Sequence, residues 1–250
     1  MSATAGAGKT GWAVPLCLII LGMAAVGPAL ASTFNVSPIR AQLGAGRRTE
    51  ALTITNVDDD PVVVQVRVLA WSQAGGEEIL DATREILVTP PVLQMAPKGQ
   101  QIVRVALRRD PDPARELTYR VILDEVPQAA AVGATGLRVA LRLSLPVFVT
   151  PAHPTPGPEL AWEAHRLPDG AIEIAATNRG SVHVQVIDFE AQVPGAAAPL
   201  HAIVAKYVLA GSRVTWSLAP GAQAGHAGTI LIRGHSDQGE LSADVAYSGS

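Results

Sequence analysis

The feature that most constrains this chain is a run of alternating aliphatic residues between positions 137 and 149. Every odd position in the run carries a large aliphatic side chain: Leu137, Val139, Leu141, Leu143, Leu145, Val147 and Val149. Side chains two residues apart lie on the same face of a β-strand, so the run predicts one strand with a continuous apolar face. At about 3.3 Å per residue this strand would be roughly 40 Å long, well beyond the usual length.

Two interpretations of this strand are open. In the first, its apolar face packs inside its own β-sandwich, and the pattern alone favours this interpretation. In the second, part of the row projects beyond that core and pairs with another chain as an added strand. The second has two supports. Pro146 has no amide proton for a central ladder, which indicates an edge or a bulge, and a long apolar edge is an aggregation hazard unless a partner uses it.

The rest of the chain is also rich in strand signals. Leu52 to Val57 alternates and stops at the turn cluster 58–61, and short runs of this kind recur about every 8 to 12 residues. No long segment has convincing helical periodicity. A second series of strand signals follows the proline- and glycine-rich stretch 151–158. We therefore expect an all-β chain with two sandwich domains, one over residues 32–151 and one over 152–250.

The first 31 residues have the pattern of a secretory signal peptide. Lys9 provides a positive start, Trp12 to Val26 is apolar, and Ala29-Leu30-Ala31 has the small residues of a cleavage site. The apolar run is too short for a stable transmembrane helix, so we expect cleavage after Ala31 and an exported protein without membrane insertion. Cys17 is the only cysteine and lies in this segment, so the mature chain is expected to contain no disulfide.

Five blocks in the first half of the mature chain follow one another with regular spacing. They are Val36 to Arg40; Leu52 to Asn56; Thr89-Pro90-Pro91 with Leu93, Met95-Ala96-Pro97 and Gln101 to Arg104; Tyr119-Arg120-Val121 with Glu125-Val126-Pro127; and Leu137 to Phe148. Together they resemble the PapD-like family of pilus (fimbrial) chaperones. The Ser-Leu-Pro-Val-Phe-Val form of the last block is similar to the divergent spore-coat-U-type or archaic branch. In the second half, Asn178-Arg179-Gly180 is the most similar piece.

The resemblance implies both a fold and a function. The fold would be an L-shaped pair of immunoglobulin-like β-sandwiches with a cleft between them. The function would be that of a periplasmic chaperone, without catalysis or cofactor, which binds pilus subunits and delivers them to an outer-membrane usher. Subunits of such pili lack their last strand, and the chaperone lends one by donor-strand complementation. The free chaperone could also self-associate to hide its apolar edge.

The resemblance also assigns binding roles to particular residues. The donor row that enters the subunit would comprise Leu137, Val139, Leu141 and Leu143, with Leu145 as a further candidate. Arg40 matches the family's cleft arginine, which binds the C-terminal carboxylate of the subunit. An arginine suits this task because its paired, charged donors match a carboxylate. Without the motif, an ordinary exposed arginine would be the preferred interpretation of Arg40.

Two positions depart from the family pattern. The second cleft anchor is a lysine in well-known members, and no lysine lies near the donor strand here. Arg120, on the strand expected to neighbour the donor strand, is the substitute candidate, and a solvent-exposed arginine without this role is the alternative. Glu125 resembles the family's interdomain acidic residue, but Thr150 and Pro151 stand where its arginine partner would follow. That ion pair is expected to be absent or rebuilt.

Other kinds of chemistry find little support in the sequence. The six histidines are scattered without metal-ligand spacing, and neither a G-x-S-x-G elbow nor a complete phosphate loop occurs. The formal net charge of −3 shows no excess of positive charge of the kind that nucleic-acid-binding proteins carry. A structural immunoglobulin-like surface or matrix protein and a hydrolase on a β-sandwich are the alternatives. The mid-chain position of the alternating strand favours the chaperone, because a pilin would carry such a segment at its N-terminus.

Overall fold

The alternating patterns of the sequence become β-strands throughout the residues that the computed structural model describes, which are 34–127, 139–153, 155–203, 205–219 and 227–248. These ranges contain eighteen strands and no helix, which confirms the all-β prediction. None of them accordingly holds a helix that could cross a membrane. The predicted signal peptide at 1–31 and Leu137 lie outside the described residues.

The first ten strands build an N-terminal sandwich of two sheets. They are β1 (Phe34–Ser37), β2 (Ala41–Leu43), β3 (Thr49–Asn56), β4 (Val62–Ala74), β5 (Glu77–Ala82), β6 (Ile86–Thr89), β7 (Val92–Met95), β8 (Gln100–Leu107), β9 (Leu117–Glu125) and β10 (Arg142–Val149). One sheet has the order β1-β3-β8-β6. The other has the order β2-β10-β9-β4-β5, with β7 also paired to β4.

The inner faces of these two sheets form the N-terminal core. Alternate residues of each strand point inward, as the two-residue period requires. Members of this core from both sheets include Leu52, Ile54, Val64, Leu93, Val103, Val105, Tyr119, Val121, Leu123 and Val147. The core therefore follows directly from the alternation that the sequence displays.

The last eight strands form a C-terminal sandwich from one continuous sheet. They are β11 (Leu160–Arg166), β12 (Ile172–Asn178), β13 (Val184–Gln192), β14 (Leu200–Ala202), β15 (Lys206–Val208), β16 (Arg213–Leu218), β17 (Ala227–Ser236) and β18 (Gly239–Ser248). The order is β14-β13-β17-β18-β11-β12-β16, with β15 paired to β13. The sheet surrounds its own core, whose large members include Ile172, Ile174, Phe189, Trp216, Ile230 and Tyr247.

The predicted 40 Å strand is shorter in the structure. β10 begins at Arg142, and residues 139–141 precede it outside any strand. The reason lies in its neighbour, because β9 ends at Glu125 and Pro127 follows two residues later. A strand needs a partner for its backbone hydrogen bonds, and residues 139 and 140 have passed the end of β9.

Candidate functional site

The outer edge of β10 is only partly covered. On one side β9 pairs with β10 along its whole length, from Arg142 to Val149. On the other side the short strand β2 pairs only with Val147 to Val149. On that second side, no described strand pairs with the segment from Arg142 to Pro146, and we call this side of the segment the open edge. Pro146 lies where the open edge meets the covered part, and a missing amide proton is tolerated at such an edge.

The aliphatic row of the sequence passes from the core into solvent along this edge. Leu145 is 8% exposed and belongs to the N-terminal core with Val147 and Val149. Leu143 and Leu141 are half-buried against the same core, and Val139 is 76% exposed. Leu145, Val147 and Val149 thus pack in the core, as the first interpretation predicts, whereas Val139 projects beyond it; pairing of this part with another chain stays a prediction. An unpaired backbone beside partly exposed aliphatic side chains is what a β-strand from another chain would need.

Glu125 holds the beginning of this segment. Its Oε2 accepts a hydrogen bond from the Leu141 amide at 3.0 Å, and its own amide donates to the Leu141 carbonyl at 2.9 Å. Arg142, the residue after Leu141, forms an ion pair with Asp124, the residue before Glu125. The structure thus places Glu125 opposite the start of β10, because β9 runs antiparallel to β10 and ends there.

An aromatic cluster lies where the two sandwiches meet. Trp71 and Phe148 of the N-terminal sandwich pack with Leu209 and Tyr207 of the C-terminal sandwich. The Trp71 and Tyr207 rings make an edge-to-face contact with centroids 5.4 Å apart, a favourable geometry for aromatic pairs. Gln73 joins the same surfaces, because its Nε2 donates to the Tyr207 carbonyl at 2.8 Å and its Oε1 accepts from the Leu209 amide at 3.0 Å.

Arg40 lies at this interface, in the turn between β1 and β2. Its Nη1 is 3.2 Å from Oδ2 of Asp237, and its side chain is 37% exposed. Asp237 occupies the turn between β17 and β18. Arg40 is therefore ion-paired across the two sandwiches, and its side chain is partly exposed.

Arg120 is buried, so the alternative of a solvent-exposed arginine is wrong. The residue is 9% exposed, and its Cζ lies 3.7 Å from the centroid of the Trp71 ring, a cation–π contact. Its Nη2 is 2.8 Å from Oε1 of Glu78. Its Nε has no hydrogen-bond partner among the described residues. Because a buried donor without an acceptor costs free energy, an acceptor that reached this Nε would be favoured.

Tyr207 connects the two arginines. Burial raises the pKa of the Tyr207 hydroxyl, the positive charges of Arg40 and Arg120 oppose that rise, and the Asp237 carboxylate adds to it. Both guanidinium groups therefore act electrostatically on one phenol. Arg40 and Arg120, which the resemblance proposed from separate motifs, thus both act on Tyr207, and the Cζ of Arg120 lies 5.7 Å from the centroid of its ring.

His183 completes the interface, although no spacing in the sequence marks it. Its Nδ1 lies 2.6 Å from Oε2 of Glu116, and its backbone amide donates to the same oxygen at 2.9 Å. Its Nε2 lies 3.8 Å from Oδ2 of Asp237. Thr150, which stands where the family's arginine would follow, bonds to the Leu43 carbonyl. Near it the two sandwiches are linked by the hydrogen bond between Glu116 and His183. Within the described ranges, no three His, Cys, Asp or Glu side chains are grouped to hold a metal ion.

Residues 33–155 of the chain match the family described as "Pili and flagellar-assembly chaperone, PapD N-terminal domain". This match includes every strand of the N-terminal sandwich, β1 to β10. No curated protein sequence matches the chain at a significant level.

Solved structures match nearly the whole of the two sandwiches. A chain of the CsuC–CsuE chaperone–tip adhesion subunit pre-assembly complex from archaic chaperone-usher Csu pili of Acinetobacter baumannii is 21% identical, with a TM-score of 0.66 over 88% of this chain and 100% of that one. The Escherichia coli chaperone DraB is 17% identical, with a TM-score of 0.57 over 85% and 96%. The Salmonella enterica SafA pilin–SafB chaperone complex provides a third match, 20% identical, with a TM-score of 0.58 over 84% and 95%. These similarities confirm the two-sandwich fold.

Proposed function

Because the chain belongs, through its N-terminal sandwich, to the PapD-like family of pilus assembly chaperones, we propose that it binds pilus subunits by donor-strand complementation. It does so in the periplasm and passes the subunits to an outer-membrane usher. The observation that carries this proposal is the open edge of β10 beside the row from Val139 to Leu143. The predicted signal peptide at 1–31 supports export to that compartment.

Strand lending from this edge has a clear physical basis. The open edge offers backbone hydrogen-bonding groups to a subunit strand, and the aliphatic row offers side chains to an apolar groove. Full burial of one such side chain stabilises a complex by about 1.5–3 kcal/mol, from which the cost of ordering is subtracted. Val139, Leu141 and Leu143 supply this row, and Leu137 would extend it. Leu145 is buried in the chaperone's own core, so it supports the row from within.

We assign the carboxylate-binding role to the two arginines beside Tyr207. Arg40 is the contact residue, because its side chain is partly exposed. Arg120 is the second positive charge of the cleft, held in place by Trp71 and Glu78. The C-terminal carboxylate of a bound subunit would then lie at the interface of the sandwiches while its last strands lie along β10. The combination of a fixed charge contact and a strand edge would set the register of the bound subunit.

Co-expression with a candidate pilin subunit, followed by affinity capture of the chaperone, tests the proposal. The double variant Val139→Glu, Leu141→Glu should lose most of the captured subunit, because the introduced charges would have to be buried in an apolar groove. Ile203→Glu is the matched control, since Ile203 is an exposed aliphatic residue of the C-terminal sandwich. Equal capture by the wild type, the double variant and the control would exclude strand lending from this edge.

A further inference from the structure

We propose that the Asp237 carboxylate forms an ion pair with Arg40 in the free protein and moves to His183 when the C-terminal carboxylate of a subunit binds Arg40 instead. This proposal rests on the carboxylate-binding role assigned to Arg40 above. It makes Asp237 a positioning residue and an internal competitor, which sets how tightly the cleft holds a subunit.

Asp237 is held firmly enough to act in this way. It lies in the short turn between β17 and β18. Its amide donates to the Gln185 carbonyl at 3.0 Å, and its Oδ1 accepts from the Gln185 amide at 2.8 Å. These two bonds fix the backbone and one carboxylate oxygen, so the other oxygen, Oδ2, is directed into the interface. That oxygen is the atom that contacts Arg40.

His183 provides a second partner for the same oxygen. The imidazole is fixed by Glu116 at Nδ1 and by the Phe148 ring against its face. Its Nε2 is buried and has no hydrogen-bond partner among the described residues. Oδ2 of Asp237 lies 3.8 Å away, so a movement of roughly 1 Å would bring the two atoms within hydrogen-bond distance. In its doubly protonated form His183 would donate from Nε2 to that oxygen.

The exchange keeps every charge paired. A carboxylate that arrives at Arg40 would displace Oδ2 of Asp237, and a partly buried carboxylate left without a cation would be costly. An imidazole of His183 that carries protons on both nitrogens would remove this cost, because its Nε2–H would donate to the displaced carboxylate. Asp237 therefore competes with the incoming carboxylate, whereas His183 makes the displacement possible.

The first experiment examines the free protein and does not depend on the proposed function. The rate at which phenylglyoxal modifies Arg40 is measured by mass spectrometry in the wild type and in Asp237→Asn. The asparagine keeps a carbonyl oxygen for the Gln185 amide and removes the charge that holds Arg40. Modification of Arg40 should become several-fold faster, whereas Arg67, which pairs with Asp124, should react at an unchanged rate. An unchanged rate at Arg40 would show that Asp237 does not occupy it.

The second experiment measures dissociation of a captured pilin subunit that ends natively, and of the same subunit lengthened at its C-terminus so that its carboxylate cannot reach the cleft. Asp237→Asn should slow dissociation of the native subunit several-fold and leave the lengthened one unchanged. Faster dissociation would assign Asp237 a purely orienting role and overturn the competition. His183→Gln should speed dissociation in the wild-type background and have little effect in a protein that already carries Asp237→Asn. Additive effects of the two substitutions would contradict the exchange. If Arg40→Ala also leaves the native subunit unaffected, the carboxylate-binding role itself fails.

Discussion

The imidazole of His183 lies flat on the phenyl ring of Phe148, with ring centroids 3.5 Å apart and an angle of 7° between the planes. Phe148 stands between Val147 and Val149 in β10, so it leaves the strand on the opposite face from the aliphatic row. One strand therefore fills the N-terminal core with its odd residues and supports the sandwich interface with an even one. The same strand therefore provides both the edge proposed to bind a subunit and one side chain of the interface proposed to bind its carboxylate.

Replacement of Phe148 by alanine should weaken the link between the sandwiches. The substitution removes a buried ring that contacts Trp71, His183 and Tyr207, and such losses cost about 3–5 kcal/mol. We expect two calorimetric unfolding transitions in Phe148→Ala, against a more cooperative transition in the wild type. Phe189→Ala, inside the C-terminal core, is the control and should lower the stability of that sandwich alone. A single unshifted transition in Phe148→Ala would contradict this role.

The aliphatic row should divide into a structural part and a binding part. Leu145→Ala opens a cavity in the N-terminal core and should reduce the free energy of unfolding by about 2–5 kcal/mol. Val139→Ala removes an exposed side chain and should change it by less than about 0.5 kcal/mol. Urea denaturation of the two variants measures the difference. Equal destabilisation by both would show that Val139 is packed rather than available to a partner.

The hydrogen bond from Tyr119 to Glu85 should contribute to stability in a pH-dependent way. The Tyr119 hydroxyl donates to Oε2 of Glu85 at 2.6 Å, and this bond, helped by Arg109, lowers the pKa of Glu85 below its usual 4.5. A carboxyl group whose pKa is lower in the folded state stabilises the fold at pH values above its pKa in the unfolded state. This contribution is lost as the pH falls through its pKa in the folded state. Tyr119→Phe should therefore cost about 0.5–1.5 kcal/mol at neutral pH and less in acid.

Thermal denaturation of Tyr119→Phe and the wild type between neutral pH and pH values below 4.5 measures that difference. Glu85→Gln is the control, because it removes the titrating group and should abolish the pH dependence of the effect of Tyr119→Phe. A difference between Tyr119→Phe and the wild type that stays constant across this range would show that Glu85 does not carry the effect.

The open edge of β10 should also allow self-association of the free protein. An exposed strand edge with aliphatic side chains can pair with a second copy when no subunit is bound. Sedimentation velocity should show a concentration-dependent increase in mass for the wild type, and Val139→Glu should remain monomeric to higher concentration. Ile203→Glu should behave as the wild type. If Ile203→Glu suppressed association as strongly as Val139→Glu, the contact would lie elsewhere than on β10.

The local pattern of residues was enough to predict the all-β fold and the aliphatic row of β10. Alternation is a property of neighbouring residues, and a strand places every second side chain on one face whatever surrounds it. The family motifs also predict binding roles for Arg40 and Arg120. The same local reasoning overestimates the length of the strand, because β10 begins only where its antiparallel partner β9 ends, and nothing within the run from 137 to 149 encodes the end of that neighbour.

The interface depends on contacts between residues far apart in the chain. Gln73 and Tyr207 are 134 positions apart, and Arg40 and Asp237 are 197 apart. Such pairs form only where the two sandwiches pack together, so neither spacing nor composition could reveal the burial of Arg120 or the place of His183. Periodicity determines which face of a strand is apolar. Packing determines how much of that face is left for a partner and which charges meet beside it.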